Sequence, residues 1–426
     1  MRRAAGLDLG TTNSALAVAD GDRRITLARF PFRDGVAETF RSILYFHPEA
    51  LDARRRMTAV AGPAAIEQYL DGEGDGRLIQ SLKSYLADRG FEATSIFGAN
   101  YSLVELLGFL VKAIRAAAER QIGPLGPRLV VGRPVRFEGA DEEDDAFAEA
   151  RLRAALAAAG FEEIVFEHEP LAAAYCYETR LDRDELVLVA DFGGGTSDFS
   201  LLHVGPGARA RGERRILGTA GVGVAGDALD AKILQHAISP ALGLGSRYRS
   251  MLGKELVAPV WVYARLRRWH HLSFLKSKQT SALLREIRDQ SLEPDKIAAL
   301  IHVIEHDLGY HLYRAVERAK VALSRSERTR LVFDADGLHL ERELTRAEFE
   351  GWIAEETGAM AACVDRLLDS VGAAPHDVDR VFMTGGTSFV PAVRAIFDAR
   401  FGPEKVVAGG EMVSVASGLA LRALEP

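Results

Sequence analysis

The stretch Asp191-Phe192-Gly193-Gly194-Gly195-Thr196-Ser197-Asp198 constrains this chain more than any other. It joins two apolar runs, 186–190 and 199–204, that read as strands. Three consecutive glycines are costly in conformational entropy, and a plain hairpin needs only two turn residues. Such a turn makes sense where backbone must come close to a ligand. The same design stands at the start of the chain. There Asp8-Leu9-Gly10-Thr11-Thr12-Asn13-Ser14 links an apolar strand at 4–9 to a second at 14–19. Gly10 permits a tight turn, and the N–H groups and hydroxyls after it can point at phosphate oxygens. Asp8 would repel a phosphate directly but fits a magnesium ion held between them through water. The plainer reading, a hairpin turn with a capping Asp, stays open. Both hairpins place an Asp at the end of the first strand, about one domain's length apart, which is the outline of an internal duplication. A third turn, Gly385-Gly386-Thr387-Ser388, separates a strand at 380–383 from a helix at 391–401. Its small residues can accept a flat base or sugar, or form an ordinary turn.

Between these turns, strands and helices alternate, which argues for an α/β class with layered sheets. Residues 102–120 carry helical periodicity, with Leu103, Leu106, Leu107, Leu110, Val111 and Ile114 along one face. A short strand at 128–131 stops at Gly132 and Pro134. The acidic run 141–145 precedes an Ala-rich stretch, the usual place for carboxylates being a helix start. A helix at 171–177 opens after Pro170, and a last helix covers 413–424. A chain of 426 residues exceeds one compact core. The expected division is a first lobe, 1–180, completed by 408–426, and a second lobe, 181–407. The second lobe contains a mostly helical insertion at about 231–316.

Composition excludes more than it identifies. Hydrophobic residues at 48% and charged residues at 27% describe an ordinary globular protein. A net charge of −7 argues against broad nucleic-acid or acidic-membrane binding. No stretch approaches the roughly 20 apolar residues of a membrane helix, and no targeting signal follows Met1-Arg2-Arg3. Two cysteines, Cys176 and Cys363, carry no redox motif and read as reduced, buried thiols. A cytoplasmic address follows by default.

The three turns, in this order and each after an apolar strand, resemble the actin-like ATPase superfamily, and more narrowly the DnaK-type 70-kDa heat-shock chaperones. The first two are similar to that family's phosphate loops. The resemblance implies a duplicated, ribonuclease-H-like fold with two lobes around a nucleotide cleft, binding ATP or ADP with Mg2+. It implies that Asp8, Glu169 and Asp191 hold the metal, through water, and that Lys83, Glu169 and Thr196 carry catalysis. Gly10, Thr11, Thr12, Asn13, Gly193, Gly194, Gly195, Thr196 and Gly226 would then line the phosphates. Glu317 and Lys320 would bind the ribose, and Ser324 would face the base beside Gly385, Gly386, Thr387 and Phe389. A bland ion pair between Glu317 and Lys320 on one helix is the alternative there. The activity implied is slow hydrolysis of ATP to ADP and phosphate, with lobes that respond to nucleotide state in protein folding and stress response.

Departures limit the likeness. DnaK-type chaperones continue into a β-rich peptide-binding domain. This sequence ends at Pro426, so the expectation is of the nucleotide-binding part alone, as in shortened, YegD-like members. Phe389 stands where the family has a base-stacking arginine, and the family's hinge arginine has no assigned counterpart, Arg151 being one candidate. The insertion contains Arg265-Leu266-Arg267-Arg268-Trp269-His270-His271, readable as a solvated helix face or as a docking surface for a protein partner. Two other functions share the fold: a small-molecule kinase and a filament-forming, actin-like protein. The segment 130–135 lacks the acid that such a kinase needs as a base.

Overall fold

The computed structural model describes the whole chain except residues 1–2, 33–34, 52–56, 72–75, 138–139, 179–180, 212–213, 251–252, 268–274, 409–413 and 426. It resolves into two compact units. One comprises 1–223, 362–388 and 397–426, and the other 224–361 and 389–396.

The first unit contains two five-strand paths of the same topology. In the first sheet, β1 (Ala4–Asp8) pairs antiparallel with β2 (Asn13–Ala19), which pairs with β3 (Ile25–Leu27). On its other side β1 pairs parallel with β4 (Arg128–Arg133), and β4 with β5 (Glu163–His168). The second sheet repeats this order. Strand β6 (Glu185–Phe192) pairs antiparallel with β7 (Ser197–Val204), which pairs with β8 (Arg215–Val222). On its other side β6 pairs parallel with β9 (Arg380–Thr384), and β9 with β10 (Val406–Ala408). The duplication read from the two Asp–Gly hairpins is thus a duplication of the whole five-strand path, to which the first sheet adds a short sixth strand, Phe40–Arg41, beside β2. Each hairpin joins the central strand of its sheet to the neighbour that runs back beside it.

The period-2 alternation of strands sorts their side chains into two cores. Leu7, Leu129 and Val131 face helices Leu103–Ile122 and Glu142–Ala158. Ala4 and Val130 face the other way, into a core shared with Val187, Val189 and Leu202 of the second sheet. Helices Glu169–Glu178 and Ser414–Arg422 fill that shared core through Ala172, Ala173, Val415 and Leu419. The lobes expected at 1–180 and 181–407 therefore have their sheets within one compact unit, because these two helices give both sheets a common apolar face.

Local signals set the helix ends. Ser102 and Glu105 form a reciprocal capping box, and Asp141 caps the next helix by accepting from the Asp144 N–H at 2.9 Å. The second unit holds helices Gly226–Ile233, Val260–Leu266, Lys278–Gln290, Pro294–Glu305 and Gly309–Arg325. It also contains a hairpin, Arg328–Ala335 with Leu338–Thr345, that the sequence reading did not anticipate. Of the basic-aromatic segment, Arg265 lies over Trp261 at 5.4 Å and Leu266 is buried, while 268–271 lie outside the described residues. Cys363 is a buried free thiol, and the Cys176 side chain lies outside the described residues. Among the described residues no helix is long and apolar enough to cross a membrane.

Candidate functional site

Four charged side chains converge in the first unit from four separate elements. Asp8 ends β1, and Asp191 lies one residue from the end of β6. Glu169 opens the helix Glu169–Glu178, with Pro170 in its first turn. Lys83 sits in a short 3-10 helix, Leu82–Tyr85, whose N-cap Ser81 has a left-handed φ of 58°. The Lys83 ammonium donates to Glu169 Oε1 at 2.5 Å, with both side chains only 11% and 13% exposed. Asp8 and Asp191 stand close enough to this pair to be shifted by it.

The electrostatics follow from three carboxylates against one ammonium. Burial, then the charge of Glu169, pushes the Asp8 carboxyl up to about 7, with Lys83 pulling the other way. Asp191 is raised well above the usual carboxylate range by burial, then by Glu169, Asp8 and Asp198. Burial alone would lower Lys83, but Glu169 and Asp8 outweigh it and hold the ammonium charged. Oxygen donors with unbalanced negative charge are the donor set that a hard divalent cation takes, so these residues fit magnesium.

The turns that frame the cluster are fixed by backbone. A Cβ on Gly10 would lie 2.0 Å from the Asn13 carbonyl oxygen, so the first hairpin closes only with glycine. Thr11 and Thr12 are half-buried, and Asn13 Oδ1 accepts from Arg41 at 3.3 Å. In the second hairpin the Gly193 N–H donates to the Thr196 carbonyl at 2.9 Å, and a Cβ on Gly195 would meet only open space. The Thr196 hydroxyl donates to Asp198 at 2.9 Å, a partner that sequence reasoning did not supply. Gly385 has φ 86°, and a Cβ there would meet the Phe192 carbonyl oxygen at 2.0 Å. That contact brings the third turn against the end of β6. Gly386 faces open space and Thr387 is buried.

The remaining expected residues belong to the second unit. Gly226 opens its helix, and its carbonyl accepts from Lys320 at 3.4 Å. Lys320 also donates to the buried Asp230 at 2.8 Å, while Glu317 accepts from Arg314 at 2.9 Å. The ion pairs seen for Glu317 and Lys320 among the described residues are thus Arg314–Glu317 and Lys320–Asp230. Burial raises Asp230 to about 6 despite Lys320. Ser324 donates back to the Lys320 carbonyl at 3.1 Å, and Phe389 is 51% exposed.

Arg151, a candidate for the hinge arginine, lies in helix Glu142–Ala158. Its guanidinium donates to the carbonyls of Tyr85, Leu86 and Asp88 at 3.0–3.1 Å and of Phe91 at 2.6 Å. It thereby clamps the segment that leaves the Lys83 turn. No spacing in the sequence shows this, because the partners are backbone oxygens 60 or more residues away.

Two comparisons bear on this arrangement. The family model for Hsp70 protein matches residues 84–241 and 304–424, more than half of the chain. The chain is similar to the Chaperone protein DnaK of Thermosipho melanesiensis, at 26% identity over 98% of this chain and 58% of that protein. It is also similar to the Chaperone protein DnaK of Thermosipho africanus, at 27% identity over 97% of this chain and 58% of that protein. It thus spans about 58% of the length of these curated relatives. The family brings with it the actin-like ATPase fold, which agrees with the two sheets of identical order around buried acidic strand ends. On the extent of that match, the chain belongs to the Hsp70 family.

Proposed function

We propose that this protein binds ATP or ADP with magnesium and slowly hydrolyses ATP, as a chaperone-family ATPase whose lobes respond to nucleotide state. One observation carries the reading: Asp8, Glu169 and Asp191 gather around the single ammonium of Lys83 at the mouths of two glycine-rich hairpins. Magnesium, when bound, would supply charge to offset the phosphates, held by Asp8, Glu169 and Asp191 through water. Lys83, kept charged by its neighbours, would donate to the γ-phosphate as negative charge shifts in the transition state. Glu169 holds the ammonium in place through their 2.5 Å contact. Thr11, Thr12, Asn13 and Thr196 would offer hydroxyl, amide and backbone donors to phosphate oxygens or water. By the family's pattern Glu317, Lys320 and Ser324 would take the ribose and base, Lys320 sharing its ammonium with Asp230. Phe389, half exposed, would stack on the base without the cation that the family's arginine brings.

Nucleotide binding and phosphate release by wild type and Lys83→Ala test this. Loss of the ammonium removes about 3 kcal/mol of transition-state stabilisation, so turnover should fall by roughly a hundredfold while ADP still binds. Equal turnover in the two proteins would overturn the role of Lys83. Nucleotide binding with no phosphate release by wild type would leave a nucleotide sensor in place of an ATPase.

A further inference from the structure

The second unit holds a group of donors outside the set assigned above to nucleotide and magnesium. His302 lies in the last turn of helix Pro294–Glu305 and His306 is its C-cap, so the i, i+4 spacing puts both on one face. Their rings stack, with centroids 4.1 Å apart and planes at 23°. Opposite them is Asp336, in the two-residue turn of the hairpin Arg328–Ala335 with Leu338–Thr345. Asp336 has φ 48° and Gly337 φ 76°, the pair of left-handed residues that a type I′ turn requires. His306 Nδ1 lies 2.5 Å from Asp336 Oδ2. His302 Nε2 lies 3.2 Å from the same oxygen and 2.9 Å from the Asp336 main-chain oxygen.

We propose that His302, His306 and Asp336 form a binding site for a zinc-class divalent ion. Two imidazole nitrogens with one carboxylate suit zinc and its transition-metal neighbours, whereas magnesium and calcium take oxygen donors. The three ligand atoms already lie within 4.8 Å of one another. The 3.2 Å separation of His302 Nε2 from Oδ2 is close to the edge of a tetrahedron with bonds of about 2.0–2.1 Å. His306 has only to open by about 1 Å from the carboxylate to match it. Both supports are rigid: a helix end, whose dipole also favours a cation, and a tight turn. Side-chain exposures of 32% for His302 and 49% for His306 and Asp336 leave an approach from solvent and room for water as a fourth ligand. The ion would pin the hairpin to the helix end.

The test is titration of the full chain, stripped with chelator and free of nucleotide, with ZnCl2 by calorimetry and with CoCl2 by visible absorption. One saturable equivalent of Zn2+ is expected, together with the Co2+ absorption bands of a tetrahedral site. Asp336→Asn keeps a residue that tolerates left-handed φ, and His306→Ala removes an exposed ring, so both should give the wild-type circular dichroism spectrum. Each should weaken Zn2+ by more than about tenfold, the least that loss of even an outer-shell partner costs. No binding by wild type, or wild-type affinity in both variants, overturns the site. If one variant misfolds, the other still decides, since unchanged affinity in it is equally fatal to the proposal.

Discussion

Asp8 shows how burial and charge together set the behaviour of a single residue. In the fold its carboxyl keeps a proton up to about 7, whereas the ordinary value is 3.8. Between those values the folded chain binds a proton that the unfolded chain has lost, so stability falls as pH rises through this window. The contribution is fully present below about 3.8 and gone above about 7. Asn is nearly isosteric and permanently neutral. In magnesium-free, nucleotide-free buffer Asp8→Asn should therefore be more stable than wild type by on the order of 2 kcal/mol at pH 8. The gain should shrink towards zero near pH 4. Urea unfolding of both proteins at the two pH values measures it, and a difference that does not change with pH would contradict the assignment. Added magnesium should narrow the gap at pH 8, because it offsets the buried charge that Asp8 carries in wild type and not in the variant.

Elements differ in how much of their placement is local. Helices Leu103–Ile122 and Glu142–Ala158 are legible from the apolar periodicity of the first and the acidic run that opens the second, signals that lie within the elements themselves. The hairpin closed by Asp336-Gly337 carries an equally local Asp–Gly turn signal. The Lys83 turn was not legible at all. Its conformation depends on Ser81 in left-handed φ and on four carbonyls held by Arg151 from a distant helix. Arg151→Gln shortens and neutralises that clamp, at a cost of about 2 kcal/mol for hydrogen bonds from a charged donor. Amide exchange across residues 85–91 should speed up. Turnover should fall by about tenfold or more through misplacement of Lys83, with nucleotide affinity little changed. Unaltered exchange in that segment would show that Arg151 does not hold it.

On the scale of the whole molecule, the two sheets depend on the last helix of the chain. Ser414–Arg422 adds Val415 and Leu419 to the core that both sheets share, and a Cβ on Gly418 would meet the Ala172 carbonyl oxygen at 1.7 Å. Two helices packed that closely leave no slack for another element to take the place of either. Removal of residues 409–426 should therefore abolish cooperative unfolding of the first unit as a whole. Circular dichroism melts of the truncated chain test this, and a cooperative transition near that of wild type would refute it.

The sequence by itself determined the duplication and the acidic, glycine-rich ends of its two central strands. Asp8 and Asp191 close equivalent strands, and glycine-rich turns follow each, because these are demands of backbone geometry and charge within a few residues. The nature of the acidic cluster was legible through Lys83 and Glu169 only by family likeness, since neither has a local motif that reveals it. Tertiary structure alone decided that Lys83 pairs with Glu169, that Lys320 is shared with Asp230, and that Arg151 is a clamp. It also decided that both sheets belong to one unit. The physical reason is the same in each case. A charge finds its partner, and an apolar face its cover, through space, across separations that no sequence period encodes.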